Sequence, residues 1–417
     1  MASFDIDWIR SQFPALSQDL GGYRPVFFDG PGGTQVPESV IDAMSRYLVT
    51  SNANAHGAFA TSRRTDELIA SARGAVADFL GCEHDEVIFG ANMTTLAFAF
   101  SRAMGRSLKP GDEIVVTRLD HYANVSPWHA LEEVGAVVRV VDFHVEDCTL
   151  DISDLERQLS DRTRVVAIGY ACNAVGTIND VAKVVRLAHA VGALVFVDAV
   201  HYAPHGPIDV RALDCDFLAC SAYKFFGPHV GVLFGKREHL ARLQPYKVQP
   251  AADEVPFRWE TGTLNHEGLA GLIATIDYLE ELGRRVSASV ENRRKALVAA
   301  MEASRRYERH LSERLIQGLS RIPGVTLYGI TDSARFDRRT PTVGLTLAGR
   351  TPYAVAEQLG DRGIFTWHGN FYALGLTERL GVESKGGLLR IGLLAYNTDE
   401  EIDRLLQALD DINAASA

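Results

Sequence analysis

From Glu86 to Gly235 the chain alternates short apolar runs with helical stretches, and this alternation constrains the fold more than any other feature. The runs are Glu86–Phe89, Glu113–Thr117, Val137–Asp142, Val165–Tyr170, Leu194–Asp198, Phe217–Ser221 and Val230–Phe234. Between most of them lie stretches such as Thr95–Met104, Ile152–Leu159 and Val181–Val191, with apolar residues at helical spacing. One such run fits a buried helix as well as a strand. Seven in alternation with helices predict an α/β fold whose mostly parallel seven-stranded sheet is flanked by helices.

The flanks read differently. Ile6 to Leu16 predicts a short helix, followed by the apolar Val26-Phe27-Phe28-Asp29 and the turn-rich Gly30-Pro31-Gly32-Gly33. Pro37 and Glu38 open a helix to about Leu48, Ser51 to Ala60 is a loop, and Asp66 to Leu80 returns to helical spacing. After Gly235, Glu267–Leu282 and a polar helix to about Leu319 lead to the turn Ile322-Pro323-Gly324. Val325–Tyr328, Thr342–Leu347, Ile364–Thr366 and Leu389–Leu393 then predict the strands of a smaller C-terminal α+β domain, closed by a helix from Asp399. The expected organisation is an N-terminal segment 1–35, a large domain 36–265, connecting helices 266–322 and a small domain 323–417.

A net charge of −11 argues against a nucleic-acid-binding face and a polybasic membrane patch. No apolar run approaches the ~20 residues that span a bilayer. Asp5 and Asp7 stand where a signal peptide carries basic residues. The five cysteines, scattered without CxxC spacing, fit a cytoplasmic protein and offer no metal framework; none lies beyond Cys220.

Several polar residues fall at or just beyond the carboxyl ends of the candidate strands, where open α/β sheets bind ligands. Gly90-Ala91-Asn92-Met93-Thr94-Thr95 opens a helix, and free N–H groups there suit a phosphate, although an ordinary capped turn looks the same. His121 follows the second strand and Asn173 the fourth; alone, each is an ordinary loop residue. Asp198 ends the fifth, where its charge needs a cationic partner such as a pyridinium, unless it merely caps a helix. Lys224 follows the sixth in Ser221-Ala222-Tyr223-Lys224; a desolvated lysine forms Schiff bases, whereas a solvated one is only a surface charge. Together they describe a pyridoxal 5'-phosphate site.

With these residues in view, the sequence resembles the class V aminotransferase family of fold-type I pyridoxal phosphate enzymes, and most closely its cysteine desulfurase-like branch. The motifs are His121-Tyr122-Ala123-Asn124-x-x-Pro127-Trp128, Asn173-Ala174-Val175-Gly176-Thr177, Val197-Asp198-Ala199, Ser221-Ala222-Tyr223-Lys224, Glu260-Thr261-Gly262-Thr263 and Arg390-Ile391-Gly392-Leu393. The resemblance implies that Lys224 anchors the cofactor and moves protons. It implies that Asp198 pairs with the ring nitrogen, His121 stacks on the ring, and His201, where relatives usually carry Gln, faces the phenolic oxygen. Ala91, Asn92, Ser221 and Tyr223 would hold the phosphate, although many relatives carry His at the Tyr223 position. Thr263 would reach the phosphate of a partner subunit, implying a homodimer with shared sites. Asn173 would lie near the substrate or the cofactor's ring oxygen, and Arg390 would bind a small amino-acid substrate through its α-carboxylate. His56, Arg63, Arg64, Trp367 and His368 are candidates for reading the substrate side chain.

The desulfurases of that family carry a persulfide-forming cysteine on a loop that here reads Phe365-Thr366-Trp367-His368-Gly369-Asn370-Phe371-Tyr372-Ala373. The loop has no thiol, so the sequence reading expects cleavage at Cβ by a lyase (a C–S lyase or a β-decarboxylase/aldolase type) that is not a persulfide-forming desulfurase. An aminotransferase, a kynureninase-like hydrolase, an amino-acid epimerase and a non-catalytic scaffold are the alternatives weighed beside it.

Overall fold

The computed structural model describes residues 4–414. Residues 1–3 and 415–417, the outer ends of the expected first and last segments, lie outside the described residues. The N-terminal helix covers Ile6–Ser11, capped by Asp5, whose carboxylate accepts the N–H of Trp8 at 3.0 Å. It stops short of the expected Leu16 because Pro14 has no N–H to continue the ladder, and Pro14–Ser17 forms a separate 3₁₀ turn. After β1 (Val26–Phe27) come helices Glu38–Thr50 and Ala60–Leu80. The second starts earlier than the apolar spacing predicts, because its first turns bury hydroxyls. Ser62 donates to Asn54 O at 2.6 Å and Thr65 to Ala53 O at 3.0 Å.

The large sheet is built from β2 (Val87–Gly90), β3 (Glu113–Thr117) and β4 (Val137–Val141), then, past a hairpin of β5 (Phe143–His144) and β6 (Thr149–Leu150), from β7 (Thr163–Gly169), β8 (Leu194–Asp198), β9 (Phe217–Ser221) and β10 (Gly231–Gly235). Its order is β2-β10-β9-β8-β7-β3-β4. Only β10 runs against its neighbours. Each strand feeds two cores: Val115, Val166, Val195 and Leu218 pack on one face, Ile114, Val116, Phe196 and Phe217 on the other. Alternate side chains leave on opposite faces, and both faces are covered, so the runs read as unbroken apolar segments.

Helices His266–Val286 and Arg293–Leu319 lead to β11 (Val325–Tyr328), β12 (Thr342–Leu347), β13 (Ile364–Phe365), β14 (Trp367–Gly369) and β15 (Leu388–Gly392). Four of these form an antiparallel sheet in the order β11-β12-β15-β14. The strand expected at Ile364–Thr366 is β13, which pairs in parallel with β1 instead of joining that sheet, and the chain enters the sheet only past Thr366, as β14 beside β15. The N-terminal segment therefore docks on the small domain, and Gly392 N–H donates to Phe28 O at 2.8 Å. From there the chain runs through Pro31 and Gly32 directly over Lys224.

Glu260, from the Glu260-Thr261-Gly262-Thr263 motif, locks this motif to the edge of the large sheet. Its carboxylate meets the Arg73 guanidinium in a bidentate pair at 2.9 and 2.6 Å and accepts Phe89 N–H at 2.8 Å. Both side chains are buried. Removing one member of such a pair strands a buried charge. Glu260→Ala is expected to lower unfolding stability by about 3–5 kcal/mol, read as a shifted urea midpoint; a change near zero would show that the pair carries no net stabilisation.

Candidate active site

Lys224 follows β9 in a short 3₁₀ turn, because Gly227-Pro228 forbids a longer helix and the chain must return as β10. Its side chain points into a cavity of about 860 Å³ at the carboxyl ends of the parallel strands. Nζ donates to Pro31 O and, at 3.0 Å, to Gly32 O. Burial, reinforced by the Arg390 charge, depresses its pKa from 10.5 to about 7, while Asp198 and Asp29 oppose the shift. The amine is therefore a neutral nucleophile for a large fraction of molecules at neutral pH.

Asp198 ends β8 beneath the same cavity and accepts Val200 N–H at 2.9 Å. Desolvation pushes its carboxyl up to about 6. A cation placed in the cavity would restore its charge. His121 lies after β3, and its Nδ1 accepts Ala123 N–H at 2.9 Å, which puts the ring proton on Nε2. Burial, then Lys224 and Arg390, lower its pKa to about 4, so the ring is neutral. His201 is also buried and held neutral by desolvation; its Nε2 lies 3.1 Å from Thr340 Oγ1.

The phosphate-cradle candidate is built as a capped helix start. Asn92 caps helix Met93–Gly105 by accepting Thr95 N–H at 2.9 Å, and Met93 N–H donates to Ser221 Oγ at 2.9 Å. This turn rests on Gly231, where a Cβ would stand 2.5–2.8 Å from the Asn92 backbone. Tyr223 stacks on His229 with ring centres 4.9 Å apart and lines the cavity beside Ala91, Asn92 and Ser221.

On the opposite wall, Arg390 reaches in from β15. Its Nη1 donates to Asn173 O at 3.1 Å, its Nε has no hydrogen-bond partner, and its guanidinium lies 4.1 Å over the Phe371 ring. Asn173 donates through Nδ2 to Phe371 O at 2.9 Å, leaving its buried Oδ1 unpartnered. These open donors and the orphaned amide oxygen, the neutral Lys224 and the uncompensated Asp198 carboxyl fit an aldehyde cofactor with a basic ring nitrogen and an amino acid carrying a carboxylate.

Of the residues singled out from sequence, Lys224, His121, Asp198, Ala91, Asn92, Asn173, His201, Ser221, Tyr223, Arg390, Trp367 and His368 all line this one cavity. His56 does not. Its side chain is 81 % exposed and pairs with Asp66 at 3.0 Å. Arg64 instead donates to Thr50 O at 3.0 Å, and Arg63 and Thr263 also lie outside this cavity. Residues that the sequence reading missed are Asp120, His229, Asn370, Phe371 and Tyr372. Asp120, whose burial raises its pKa to about 7, accepts Gly169 N–H at 2.9 Å; its place just after β3 was the available signal. Phe371 and Tyr372 adopt φ of 55° and 58°, which no sequence pattern announces for such residues.

With this geometry established, the comparisons with known proteins are decisive. The sequence profile described as Aminotransferase class-V matches residues 26–405. The chain belongs to that family. It is 32% identical to a protein from Pectobacterium atrosepticum named cysteine desulfurase, over 99% of this chain and 98% of that one. A probable cysteine desulfurase from Halalkalibacterium halodurans is 31% identical, with 96% of each chain covered. Among solved structures, an apo cysteine desulfurase from Thermococcus onnurineus superposes with a TM-score of 0.88 at 28% identity, covering 100% of both chains. A cysteine desulfurase from Escherichia coli gives 0.83 at 28% identity over 98% of each. The protein is a pyridoxal 5'-phosphate-dependent, fold-type I enzyme of the cysteine desulfurase-like type.

These matches correct one expectation. The loop without cysteine led to a lyase other than a persulfide-forming desulfurase, with aminotransferase, hydrolase and epimerase alternatives. Relatives matched along the whole chain are named cysteine desulfurase, and that similarity overrides an inference from one nine-residue loop. The physical flaw was to require the acceptor thiol at a single position.

Two outcomes test the site. Gly231→Ala is expected to push the Asn92 turn outward at a cost of about 1–3 kcal/mol and to weaken cofactor retention on gel filtration; unchanged retention would separate this turn from the cofactor. Capture of pyridoxal phosphate by the apoprotein should accelerate as pH rises through about 7, where Lys224 loses its proton. A rise only near the usual lysine range, about 10, would show that the amine is not desolvated.

Proposed function

We propose that this enzyme desulfurates L-cysteine, taking the sulfur from the amino acid and leaving alanine while a thiol acceptor becomes a persulfide. The observation that carries the reading is the buried, neutral Lys224 facing Arg390 across one cavity, in a chain similar along its whole length to cysteine desulfurases. When bound, pyridoxal phosphate supplies an electron sink that weakens bonds around the amino-acid Cα.

The chain's own residues do the rest. Lys224 Nζ anchors the cofactor and then carries the proton to and from Cα. Asp198 would face the ring nitrogen, whose charge would offset the rise in its pKa on burial. His121 would lie against the ring as a neutral imidazole, and His201 would meet the phenolic oxygen. Ala91 and Asn92 through their N–H groups, with Ser221 and Tyr223, hold the phosphate. Arg390 grips the α-carboxylate, Asn173 orients the substrate beside it, and His368 stands at the cavity mouth. A homodimer completes the site through Thr263, which is exposed here and outside the cavity of its own chain. Five unpaired thiols support a cytoplasmic setting. No helix among the described residues is long and apolar enough to cross a membrane.

Lys224→Ala is expected to abolish alanine formation from L-cysteine and to leave cofactor bound only noncovalently, seen as loss of the long-wavelength absorbance; near-wild-type alanine release would sink the assignment. Arg390→Ala should raise KM for L-cysteine roughly 10- to 100-fold, the worth of a charge-assisted hydrogen bond, with cofactor content unchanged. Equal loss of cofactor and substrate affinity would move Arg390 out of the carboxylate subsite.

A further inference from the structure

We propose that the sulfur acceptor is a thiol that enters this cavity from outside the chain, so that the persulfide forms on a diffusible or carrier-borne thiol rather than on a cysteine of the protein. This inference rests on the desulfurase reading and specifies its second substrate.

All five cysteines lie among the described residues, and none lines the cavity. Cys220 sits on β9 next to Ser221, and strand alternation sends it to the opposite face of the sheet, into the core that also takes Cys215. Cys148 and Cys172 are buried together with Leu119, Phe143 and Leu376. Cys82 is half-buried at the end of helix Ala60–Leu80, against the same core as Cys220. Cys172 lies between the cavity-lining Ala171 and Asn173, yet it is only 2% exposed. Burial pushes its thiol up to about 11 and those of Cys148 and Cys215 up to about 12, and it raises Cys82 and Cys220 further. Buried thiols held protonated in this way are poor nucleophiles.

The wall that faces the cavity instead is Trp367 to Tyr372, and it is fastened down. Asn173 Nδ2 donates to Phe371 O at 2.9 Å, Tyr122 N–H to Tyr372 O at 2.7 Å, and Arg390 lies 4.1 Å over Phe371. The rim stays open to solvent, with Trp367 47% and Tyr372 73% exposed. At about 860 Å³ the cavity, which also takes the cofactor and the amino acid, lies in the upper part of the range for small-molecule sites, about 300–1,000 Å³.

The step balances without an added oxidant or reductant. The acceptor thiolate attacks Sγ of the bound cysteine, an S–S bond forms, and the Cβ–S bond breaks. The electron pair from that bond stays on Cβ, which takes up the proton the acceptor gave up. Cysteine and a thiol become alanine and a persulfide, the acceptor sulfur being oxidised as the carbon is reduced.

The test incubates holoenzyme with L-cysteine well below saturation, with no added thiol, with glutathione, or with a reduced single-cysteine protein. Alanine, alkylated persulfides and the intact mass of the enzyme are followed. Alanine formation is expected to rise about tenfold or more with one of the two added thiols, with one persulfide on that thiol per alanine and no sulfur added to the enzyme. Whichever thiol responds identifies the source. Cys172→Ala and Cys148→Ala should retain this thiol-dependent turnover. A one-sulfur mass gain on the enzyme matching an alanine burst without added thiol would overturn the inference. So would free sulfide equal to alanine at a rate independent of thiol. Absence of alanine in every arm would overturn the desulfurase reading itself, and the acceptor with it.

Discussion

The cost of burying the Lys224 amine organises this molecule. An ammonium group at the closed end of a parallel sheet loses hydration that neighbouring carboxyls only partly replace, so Lys224 titrates near 7 instead of 10.5. The same desolvation raises Asp198 and Asp29 to about 6 and lowers Arg390 to about 9. Lys224, Asp198 and Arg390 line one cavity and Asp29 acts on Lys224 from beside it, so burial shifts a connected set of charged groups, as at a site built to receive charged ligands.

The site exists only because two sheets and the N-terminal segment meet. Strand ends of the large sheet supply Asp198, His121 and the Asn92 turn, while β15 of the small sheet supplies Arg390. The segment after β1, tied to the small domain through β13, brings the Pro31 and Gly32 carbonyls to Lys224. The loop at Phe371 and Tyr372 then ties the two walls together, because Asn173 and Arg390 both hold Phe371. A shift of the four-stranded sheet would move Arg390, the Phe371 wall and a Lys224 contact together.

The loop without cysteine is one local departure in a chain that matches its relatives from end to end. Trp367 to Tyr372 lines the mouth of the cavity and contains no thiol, so the sequence alone pointed away from sulfur transfer to an acceptor. Similarity along nearly the whole chain to cysteine desulfurases outweighs that one substitution. None of the five cysteines lines that cavity.

Much of this was legible in the residues. Seven apolar runs between helices dictated the large parallel sheet, because a strand buried on both faces must be apolar at every position. The polar residues ending those runs marked the ligand edge, because each strand end of such a sheet opens on the same crevice. Tertiary structure alone decided the rest. It took Ile364–Phe365 out of the four-stranded sheet to pair with β1, left His56 on the surface, and bent Phe371 and Tyr372 into left-handed conformations, Phe371 against Arg390. Periodicity reports which side of an element is buried, whereas pairing partners, backbone strain and the desolvation that tunes Lys224 depend on residues brought together from distant parts of the chain.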